Sequence, residues 1–586
     1  MKKKFFLLKQ LPFLVSIIAM LAIVYDLGFN HLSFEIQLLQ SIYLVAMIVG
    51  VLSIFLRYFF KNTRPRNSVL PFDLFFVIFL LVLIFFDLEL LYKSNFYFFD
   101  FLKNKIWVYI ALVFIFIREL SYSSINYNKI TLNPAQLFIL SFLFIIFGGT
   151  VVLLLPNATY THISVIDALF TSTSAVCVTG LIVVDTGSYF TEFGRFTILL
   201  LIQLGGIGIM TFTSYFSYFF KAGSSYENQL MISAMNNTEK IGEVFSTLKR
   251  IILITFIVEG FGAFLIFLSL DITIIPAYLD RVFFSVFHSI SGFCNAGFST
   301  LQNNFYEPAY RYNYPLHLII AFLIIIGGIG FPIVFNLLSF IKNNIKNLFF
   351  KISGMKNRIR IQQIINVNTR IVLITSSILT VLGTVLFYFF EYNNTLVEHD
   401  FFGKIVTAFC GSVTTRTAGF NTIDNSVITT PTVLMVVFLM WVGASPGSTG
   451  GGIKTSTLAV AILNFISLAQ GKPRIEVFKR EIAQKSVNRA FATIVLSILV
   501  IFLSVFFISL FDNDKGLLNI VFECVSAFGT VGLSRGITAS LSEPSKIVLI
   551  FTMFIGRVSM LSIFIALFKK FSMHEYRYPS EEVLIN

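Results

Sequence analysis

Long apolar stretches alternate with short polar segments along almost the whole chain. Many of these stretches hold about 20 residues, the length at which an α-helix crosses the hydrocarbon core of a bilayer. The first four lie near residues 11–29, 36–58, 70–92 and 98–118. Charged residues interrupt the fourth stretch at Asp100, Lys103 and Lys105. The pattern predicts about four N-terminal transmembrane helices within residues 1–130.

The rest of the chain repeats one order of apolar segments four times: a long run, a short run and a second long run. The first long runs lie near 136–156, 248–270, 369–391 and 489–511, and the second ones near 194–220, 315–341, 431–470 and 545–569. The short runs lie near 165–178, 281–294, 401–414 and 518–529. They are too short to span, which indicates re-entrant half-helices whose irregular ends line a protein-enclosed cavity. We therefore divide this part into repeats at 131–245, 246–365, 366–485 and 486–586.

Each short run leads into a segment with one glycine at the same phase. The segments are 177–181, 294–298, 416–420 and 530–534, and their glycines are spaced by 117, 122 and 113 residues. Serines lie six positions before three of these glycines, at Ser174, Ser291 and Ser526, whereas repeat three departs with Val413-Thr414. One such glycine would only allow close helix packing. Four in phase predict a single pore built from four covalently linked loops.

Backbone carbonyls can replace the water of a dehydrated cation without a fixed charge that would trap the ion. Turning successive carbonyls toward one axis requires backbone angles that glycine permits and other residues resist. The short helices would also point their partly negative C-terminal ends at the cavity, which favours a cation. We predict that the ion path is lined by Val178, Thr179, Gly180, Asn295, Ala296, Gly297, Thr417, Ala418, Gly419, Thr530, Val531 and Gly532.

Composition and charge agree with a membrane-embedded chain. Hydrophobic residues make up 56% of the 586 residues and charged residues 12%, whereas soluble chains carry about a quarter charged residues. The net charge of +13 does not indicate nucleic acid, because the basic residues lie in polar gaps between apolar runs. With the N-terminus inside, these gaps fall on one side and most acidic gap residues on the other. This positive-inside bias predicts a multi-pass protein of the plasma (inner) membrane, with twelve spans, both termini cytoplasmic and membrane lipid around it.

The second long run of repeat three is interrupted by a glycine-rich segment, residues 443–452. The apolar pieces on either side, 431–442 and 455–469, are each too short to cross a bilayer. A break at membrane depth must line a cavity or be covered by protein. Placed below the third glycine segment, this break would obstruct the ion path. The alternative is that it is a helix hinge without a gating role. The predicted gate consists of Gly443, Ser445, Gly447, Ser448, Thr449, Gly450, Gly451, Gly452 and Lys454.

Several ionisable residues lie at membrane depth. Arg557 stands inside an apolar run, and such a charge is a functional candidate by default. We interpret Glu259 and Glu523 as structural, with Glu523 bracing the fourth glycine segment by hydrogen bonding. Asp167 is expected to cap the first short helix, and His288 is expected to pack. The four cysteines lie in or just before the repeated segments and are interpreted as small packing residues, not as a disulfide framework or a metal site.

These segments resemble the Trk/Ktr/HKT superfamily of cation transporters, in particular the bacterial Ktr-B and Trk-H pore subunits. The resemblance covers roughly residues 136–575 and leaves the first 130 residues unexplained. It is carried by Ile166–Phe170 with Val178–Leu181, Phe287–Ser291 with Asn295–Phe298, Thr415–Thr422, and Ser526–Ser534. Within the last segment, Thr530-Val531-Gly532-Leu533-Ser534 also resembles the Thr-Val-Gly-Tyr-Gly filter of potassium channels.

The resemblance implies an all-α membrane protein with four helix–pore-loop–helix repeats around a pseudo-fourfold axis, which takes up potassium. Gly180, Gly297, Gly419 and Gly532 would be the filter glycines, and family members with glycine in all four loops are usually potassium-selective. Residues 443–452 would be a gate whose partial deletion raises flux without altering ion preference. Arg557 would face the pore beneath the filter.

The resemblance further implies a homodimer with a cytosolic ring of nucleotide-binding regulatory subunits of the Trk-A/Ktr-A kind. No cofactor is expected, and potassium is the substrate. Residues 447–455 imitate a phosphate-binding loop, but one residue is inserted before Lys454-Thr455 and no strand precedes it, so a nucleotide site is not predicted. Two alternatives remain: a sodium- or ammonium-permeable relative, and a multipass membrane enzyme. An enzyme would need convergent His, Asp, Glu or Ser groups, and the apolar runs do not show such clusters.

Overall fold

The structure, a computed structural model, is helical along most of its length. It describes residues 2–59, 70–87, 104–122, 134–208, 244–352 and 365–558, together with 563, 564 and 566. Parts of several predicted segments therefore lie outside the described residues. These parts are 88–92, 98–103, 209–220, 353–364 and the predicted cytoplasmic tail after 566.

The first four helices pack into a bundle of their own. They are α1 (Lys2–Gly28), α2 (Ser33–Phe59), α3 (Leu70–Asp87) and α4 (Lys105–Tyr122), close to the four stretches predicted from the sequence. Met47, Leu80 and Ala111 are completely buried in the core of this bundle. The bundle meets the rest of the chain where Asn157 donates a hydrogen bond to the Leu27 carbonyl at 3.3 Å.

The bundle also buries charge, and the charges are paired. Arg118 donates to both carboxylate oxygens of Asp73, at 3.2 and 3.0 Å, and Tyr58 donates to the same carboxylate at 2.8 Å. Glu119 accepts a hydrogen bond from Ser53 at 2.8 Å and pairs with Arg57. Because an isolated charge is expensive at membrane depth, these pairs fix how α2, α3 and α4 are arranged.

The remaining chain follows the predicted fourfold order. The leading helices 1–4 are Pro134–Leu153, Val244–Ser269, Val367–Glu391 and Gln484–Phe511. The short helices 1–4 are Val165–Val176, Tyr278–Cys294, Phe401–Thr414 and Leu517–Gly529. The trailing helices 1–4 are Glu192–Ile207, Tyr314–Ile329, Thr430–Trp441 and Glu543–Val558. Further elements are the helices Thr186–Tyr189, Phe331–Ile352 and Thr455–Ala469, four 3₁₀ turns, and an antiparallel pair of strands, Glu476–Val477 and Arg480–Glu481.

Short helices 1 and 3 begin at side-chain caps, and all four short helices lead into the glycine segments. Ser164 accepts a hydrogen bond from the Asp167 amide at 3.1 Å, and Asp400 accepts one from the Gly403 amide at 2.8 Å. Such caps satisfy amides that have no partner within the helix. The expectation that Asp167 is the cap is therefore wrong, since Ser164 occupies that position. The Asp167 carboxylate instead pairs with Lys546 at 2.7 Å, which ties short helix 1 to trailing helix 4.

The predicted second long run of repeat two, 315–341, is not one straight helix. It bends by 102° between Tyr314–Ile329 and the helix that starts at Phe331. Gly330 lies at the bend with φ +93°, a left-handed conformation that glycine adopts without steric cost. Pro332 stands in the first turn of the next helix, where its missing N–H costs nothing. Trailing helix 1 ends in the same manner at Gly208, with φ +83°.

The sequence carried a signal for these two ends that our interpretation missed. Gly-Gly-Ile-Gly occurs twice, at 205–208 and at 327–330, each time near the end of a trailing helix. Gly443 follows trailing helix 3 in the same manner. The trailing helices of repeats one to three therefore end at a glycine-rich position soon after passing the glycine segments.

Five helices of the described chain are long and apolar enough to cross a membrane, or six when the bent pair counts as one span. Several other apolar helices are shorter, among them short helices 1, 3 and 4 and both pieces of the interrupted run in repeat three. The total of twelve spans and the placement of both termini stay predictions.

Candidate functional site

The four glycine segments form a closed ring. A Cβ atom built on Gly180 would lie 3.1 Å from the Cα atom of Gly297. A Cβ atom built on Gly297 would lie 3.1 Å from the Cα atom of Gly419, and one built on Gly419 would lie 3.2 Å from the Cα atom of Gly532. A Cβ atom built on Gly532 would lie 2.9 Å from the Cα atom of Gly180, which closes the ring. Each built atom would also collide with the carbonyl oxygen that precedes the next glycine, namely that of Ala296, Ala418, Val531 or Thr179. Only glycine fits at these four positions.

All four loops share one backbone conformation although their sequences differ. The residue two positions before each glycine is left-handed, with φ +56° at Val178, +61° at Asn295, +68° at Thr417 and +50° at Thr530. The ring glycines have φ values of +87°, +70°, +74° and +91°. A left-handed β-branched residue is a genuine outlier, and such strain costs of order 1–3 kcal/mol and collects at functional sites. The sequence interpretation assigned these residues to the ion path but did not predict their strain.

Buried hydroxyl groups hold each loop in this shape. Ser174 donates to the Leu181 carbonyl at 2.7 Å and accepts from the Gly180 amide at 3.1 Å. Ser291 donates to the Phe298 carbonyl at 2.7 Å, and Ser526 accepts from the Gly532 amide at 3.1 Å. The serines that recur six positions before three of the glycines therefore brace the loops directly.

In repeat three, the hydroxyl that braces the loop belongs to Thr414, five positions before the glycine instead of six. Thr414 donates to the Phe420 carbonyl at 2.9 Å, which matches the serine bonds of repeats one and two. The Thr414 carbonyl accepts from the Gly419 amide at 3.3 Å as well as from the Ala418 amide at 3.1 Å. In the other repeats the carbonyl of the serine six positions before the glycine accepts from the amide of the residue that precedes the glycine. This one-residue shift explains why Val413-Thr414 departs from the sequence pattern.

Two buried carboxylates lie behind the ring and are fully engaged in hydrogen bonds. Glu523 accepts from the Ser534 hydroxyl at 2.6 Å, the Arg535 amide at 3.0 Å and the Thr538 hydroxyl at 2.8 Å. These partners follow Gly532, so Glu523 braces the exit of the fourth loop. Glu259 accepts from the Gln203 amide group at 3.0 and 3.1 Å. Both carboxylates thus have the structural contacts that the sequence interpretation gave them.

His288 and the four cysteines are buried without an evident chemical role. His288 bonds the Phe284 carbonyl at 2.8 Å and the Ser299 hydroxyl at 2.9 Å, among aromatic rings. All four cysteines are buried free thiols. They fill space around the short helices and the ring.

The glycine-rich segment of repeat three, residues 443–452, lies directly against the ring; we call it the intramembrane loop. The Gly451 amide donates to the Thr530 hydroxyl at 3.0 Å. The Thr449 hydroxyl donates to the Phe293 carbonyl at 3.2 Å, and a Cβ atom on Gly450 would lie 2.9 Å from the Cβ atom of Thr417. The loop therefore touches the second, third and fourth ring segments or the helix ends that lead into them.

The other side of the intramembrane loop docks on the bend of repeat two. The Ser445 amide donates to the Gly328 carbonyl at 3.0 Å, and the Phe331 amide donates to the Gly447 carbonyl at 3.1 Å. A bridge between Val442 and Ile453 closes the base of the loop. The bend at Gly330 thus exposes backbone groups that the intramembrane loop satisfies.

Two positively charged side chains, Lys454 and Arg557, donate hydrogen bonds to carbonyl oxygens of the intramembrane loop. The Lys454 ammonium donates to the Gly450 carbonyl at 2.7 Å and reaches the Gly451 carbonyl at 3.4 Å. Arg557 donates to the Thr449 carbonyl and, at 2.6 Å, to the Gly205 carbonyl of trailing helix 1. Within the described part of the chain, neither cation has a carboxylate partner within 4.0 Å. Arg557 consequently links trailing helices 1 and 4 to the loop.

Glycines in three trailing helices allow close approach to the short helices. A Cβ atom on Gly205, Gly327 or Gly556 would collide with the carbonyl oxygen four positions before a ring glycine, that of Val176, Phe293 or Phe528 respectively. The trailing helices therefore press directly against the ends of short helices 1, 2 and 4.

Comparison with known proteins places this arrangement in a family. A family model described as "TrkH: Cation transport protein" matches residues 103–576. The chain is 35% identical to "Ktr system potassium uptake protein B" of Bacillus subtilis (strain 168) over 455 residues, which cover 77% of this chain and 96% of that protein. It is 32% identical to "Potassium/sodium uptake protein NtpJ" of Enterococcus hirae over 466 residues, which cover 78% and 97%.

A solved structure shares the fold. The crystal structure of the potassium transporter TrkH from Vibrio parahaemolyticus superposes with a TM-score of 0.58 at 16% identity, covering 95% of this chain and 99% of that one. The expected all-α fold of four repeats with additional N-terminal helices is confirmed. The relatives are transporters, so the membrane-enzyme alternative is excluded. The chain belongs to the TrkH family of cation transport proteins.

Proposed function

We propose that this chain takes up potassium through the glycine ring, with backbone carbonyls of the four loops as the selectivity filter. The observation that carries the proposal is the closed sequence of contacts from Gly180 through Gly297 and Gly419 to Gly532. Preorganised carbonyls can replace the hydration shell of a cation. Hydroxyls and a carboxylate behind the loops hold the left-handed backbone in place, so the ring is rigid before an ion arrives.

Potassium is favoured over sodium because all four loops keep glycine at the ring and the fourth retains Thr530-Val531-Gly532. The relative from Bacillus subtilis is named for potassium uptake. Sodium is the second candidate, since the relative from Enterococcus hirae is named for potassium and sodium. The potassium and sodium hypotheses predict different orders of ion permeability for this protein.

Ion-replacement flux in proteoliposomes tests the proposal. Purified protein is reconstituted, and uptake is driven by potassium, rubidium or sodium at equal gradients. We expect potassium and rubidium to permeate in preference to sodium. A protein that carries sodium best, or that complements a sodium-export defect but not a potassium-uptake defect, would refute potassium selectivity.

The intramembrane loop is proposed as the gate. It contacts the ring through Gly451 and Thr449 and is fastened by Lys454 and Arg557. The loop is held by hydrogen bonds to the Thr530 hydroxyl and the Phe293 carbonyl and from the two cationic side chains, and its release would break these bonds. Control would come from the cytoplasmic side, through the basic segments 342–370 and 471–489.

The proposed assembly is a homodimer in the plasma membrane, served by a nucleotide-binding regulatory ring. The support is the resemblance together with the names of two relatives as components of a Ktr system. Light scattering of the purified chain tests the dimer. Copurification with a nucleotide-binding subunit from the same cells, lost when 471–489 is shortened, tests the docking segment.

A further inference from the structure

A cavity of about 230 Å³ lies beside the ring, between trailing helix 2 and leading helix 3. Polar groups line one part of it: the Arg416 guanidinium and hydroxyls of Ser376, Thr380, Ser445 and Thr455. Apolar side chains line the rest, among them Ile324, Ile325, Ile329, Leu373 and Val381. The cavity is therefore amphipathic. Its lining contains none of the twelve residues assigned to the ion path.

Arg416 has more hydrogen-bonding capacity than its protein partners use. Its guanidinium donates to the Ser376 carbonyl at 3.2 Å and to the Thr380 hydroxyl. Its Nε atom is buried and has no acceptor. No described carboxylate lies within ion-pairing distance of it. A guanidinium has five N–H donors and keeps its charge, and a charge at membrane depth without a counter-ion is costly.

The cavity borders the exposed side of leading helix 3. Val381 lines the cavity and is 63% exposed, and Ser377 beside it is also exposed. On the same helix, Ile374 and Ile378 project outward as well. Ser376, Ser377 and Thr380 stand near the middle of the 25-residue helix Val367–Glu391. A ligand that is dissolved in the bilayer would thus reach the guanidinium from the side.

We propose that this cavity binds a fatty acid, with its carboxylate on Arg416 and its acyl chain along the isoleucine and valine walls. The planar guanidinium fork matches a carboxylate, and the apolar walls favour methylene groups over water. An inorganic anion would satisfy the charge but leave the apolar walls uncovered. A diacyl phospholipid carries a second acyl chain and a larger headgroup, for which a cavity of about 230 Å³ offers less room than for a single acyl chain with a carboxylate.

The bound acid would contact both parts of the transport machinery. Arg416 immediately precedes the left-handed Thr417 of the third loop, and Ser445 and Thr455 belong to or flank the intramembrane loop. The site is defined by the cavity alone, so binding is independent of the proposed transport function.

Photolabelling of the full chain in nanodiscs with a diazirine-bearing palmitate tests the proposal. Labelled peptides are mapped by mass spectrometry, with unlabelled palmitate or methyl palmitate as competitor. We expect label on 324–329 and 373–381, displaced by palmitate but not by the ester, which lacks the carboxylate. Arg416→Gln should weaken competition by palmitate by about tenfold or more, because a charge-assisted pair is lost.

Two further variants keep the test decisive if Arg416→Gln fails to fold. Val381→Trp fills the mouth of the cavity and should abolish the label. Ile378→Trp places the same side chain on the lipid-facing surface of the same helix, outside the cavity, and should leave the label intact. Equal displacement by acid and ester, or equal labelling of the two tryptophan variants, would overturn the proposal. Displacement by chloride as effective as by palmitate would show a small-anion site and overturn it too.

Discussion

At each ring glycine, both the backbone conformation and the space available for a side chain require glycine. The backbone is left-handed there, and a Cβ atom would meet the backbone of the next loop instead of a flexible side-chain end. A larger residue at one of these positions must therefore distort two loops at once. The residues two positions earlier share the left-handed conformation without being glycine, so their strain is held by the surrounding hydrogen bonds.

Gly180→Ser should reduce the preference for potassium over sodium by about tenfold, since a strain of order 1–3 kcal/mol falls on the carbonyls of loops one and two. The measurement is the ratio of potassium to sodium flux in proteoliposomes. Gly148→Ser is the matched control, because Gly148 lies in leading helix 1 with no atom within 4 Å of its built Cβ. An unchanged flux ratio for Gly180→Ser, in protein that reaches the membrane, would argue against the filter assignment.

Gly556→Ala should destabilise the protein by about 1–3 kcal/mol through overpacking. Its new methyl group would collide with the Phe528 carbonyl, a backbone atom at the end of short helix 4. We expect a lower melting temperature in detergent and reduced uptake. Gly260→Ala in leading helix 2 has open space around it, so its melting temperature should stay the same or rise slightly. Equal melting temperatures for the two variants would contradict the close packing of trailing helix 4.

Among the elements, the intramembrane loop, proposed as the gate, lies in direct contact with the ring. From the sequence, it is a break apart from the filter, and its deletion is expected to leave ion preference unchanged. The structure places the loop in contact with the ring, because the Gly451 amide donates to the Thr530 hydroxyl and Gly450 packs on Thr417, both left-handed residues of the ring. The effect of the deletion on ion preference stays a prediction. The bend at Gly330 presents backbone groups to the other side of this loop.

Deleting 448–450 should therefore raise basal flux and also reduce the preference for potassium. Thr530→Val, which removes the hydroxyl that accepts from Gly451 and keeps the loop, should alter ion preference with a much smaller rise in flux. Both are measured as potassium and sodium fluxes in proteoliposomes. If the deletion raises flux and the potassium-to-sodium ratio stays at its original value, the loop and the ring act independently.

Across the whole molecule, two parts with separate cores meet at a small contact. The N-terminal bundle buries paired charges, whereas the four repeats build the ring. The family model starts at residue 103, so α1 to α3 lie outside it. No residue of the bundle contributes to the ring contacts described above.

Asp73→Asn should destabilise the bundle by about 1–3 kcal/mol, because it removes the carboxylate to which the buried Arg118 donates two hydrogen bonds and leaves Glu119, at 3.9 Å, as an ion-pair partner. The described ring should remain, so flux per folded molecule is expected to stay unchanged. Melting temperature and flux are measured on the same preparation, with the exposed Glu476→Gln as the control. A loss of flux in folded Asp73→Asn protein would show that the bundle takes part in transport.

The sequence by itself determined the elements and their repetition. Run length separates spanning helices from short ones, and glycine at a fixed phase after each short run marks the loops, because both properties are local. Serine at a fixed offset before three of the glycines was visible in the sequence, but its role in bracing those loops was not predicted. The pairing of Glu523 with the exit of its loop followed from its place in short helix 4, although its three partners did not.

The tertiary structure alone decided how the pieces meet. The left-handed conformation of Val178 opposes its local preference and persists because neighbouring loops and buried hydroxyls fix it. The one-residue shift in repeat three, the bend at Gly330, the contact of Gly451 with Thr530 and the cavity at Arg416 all join segments far apart in the chain. Local hydrophobic patterns do not predict such contacts. These contacts depend on which backbone groups still lack hydrogen-bond partners once the helices have packed.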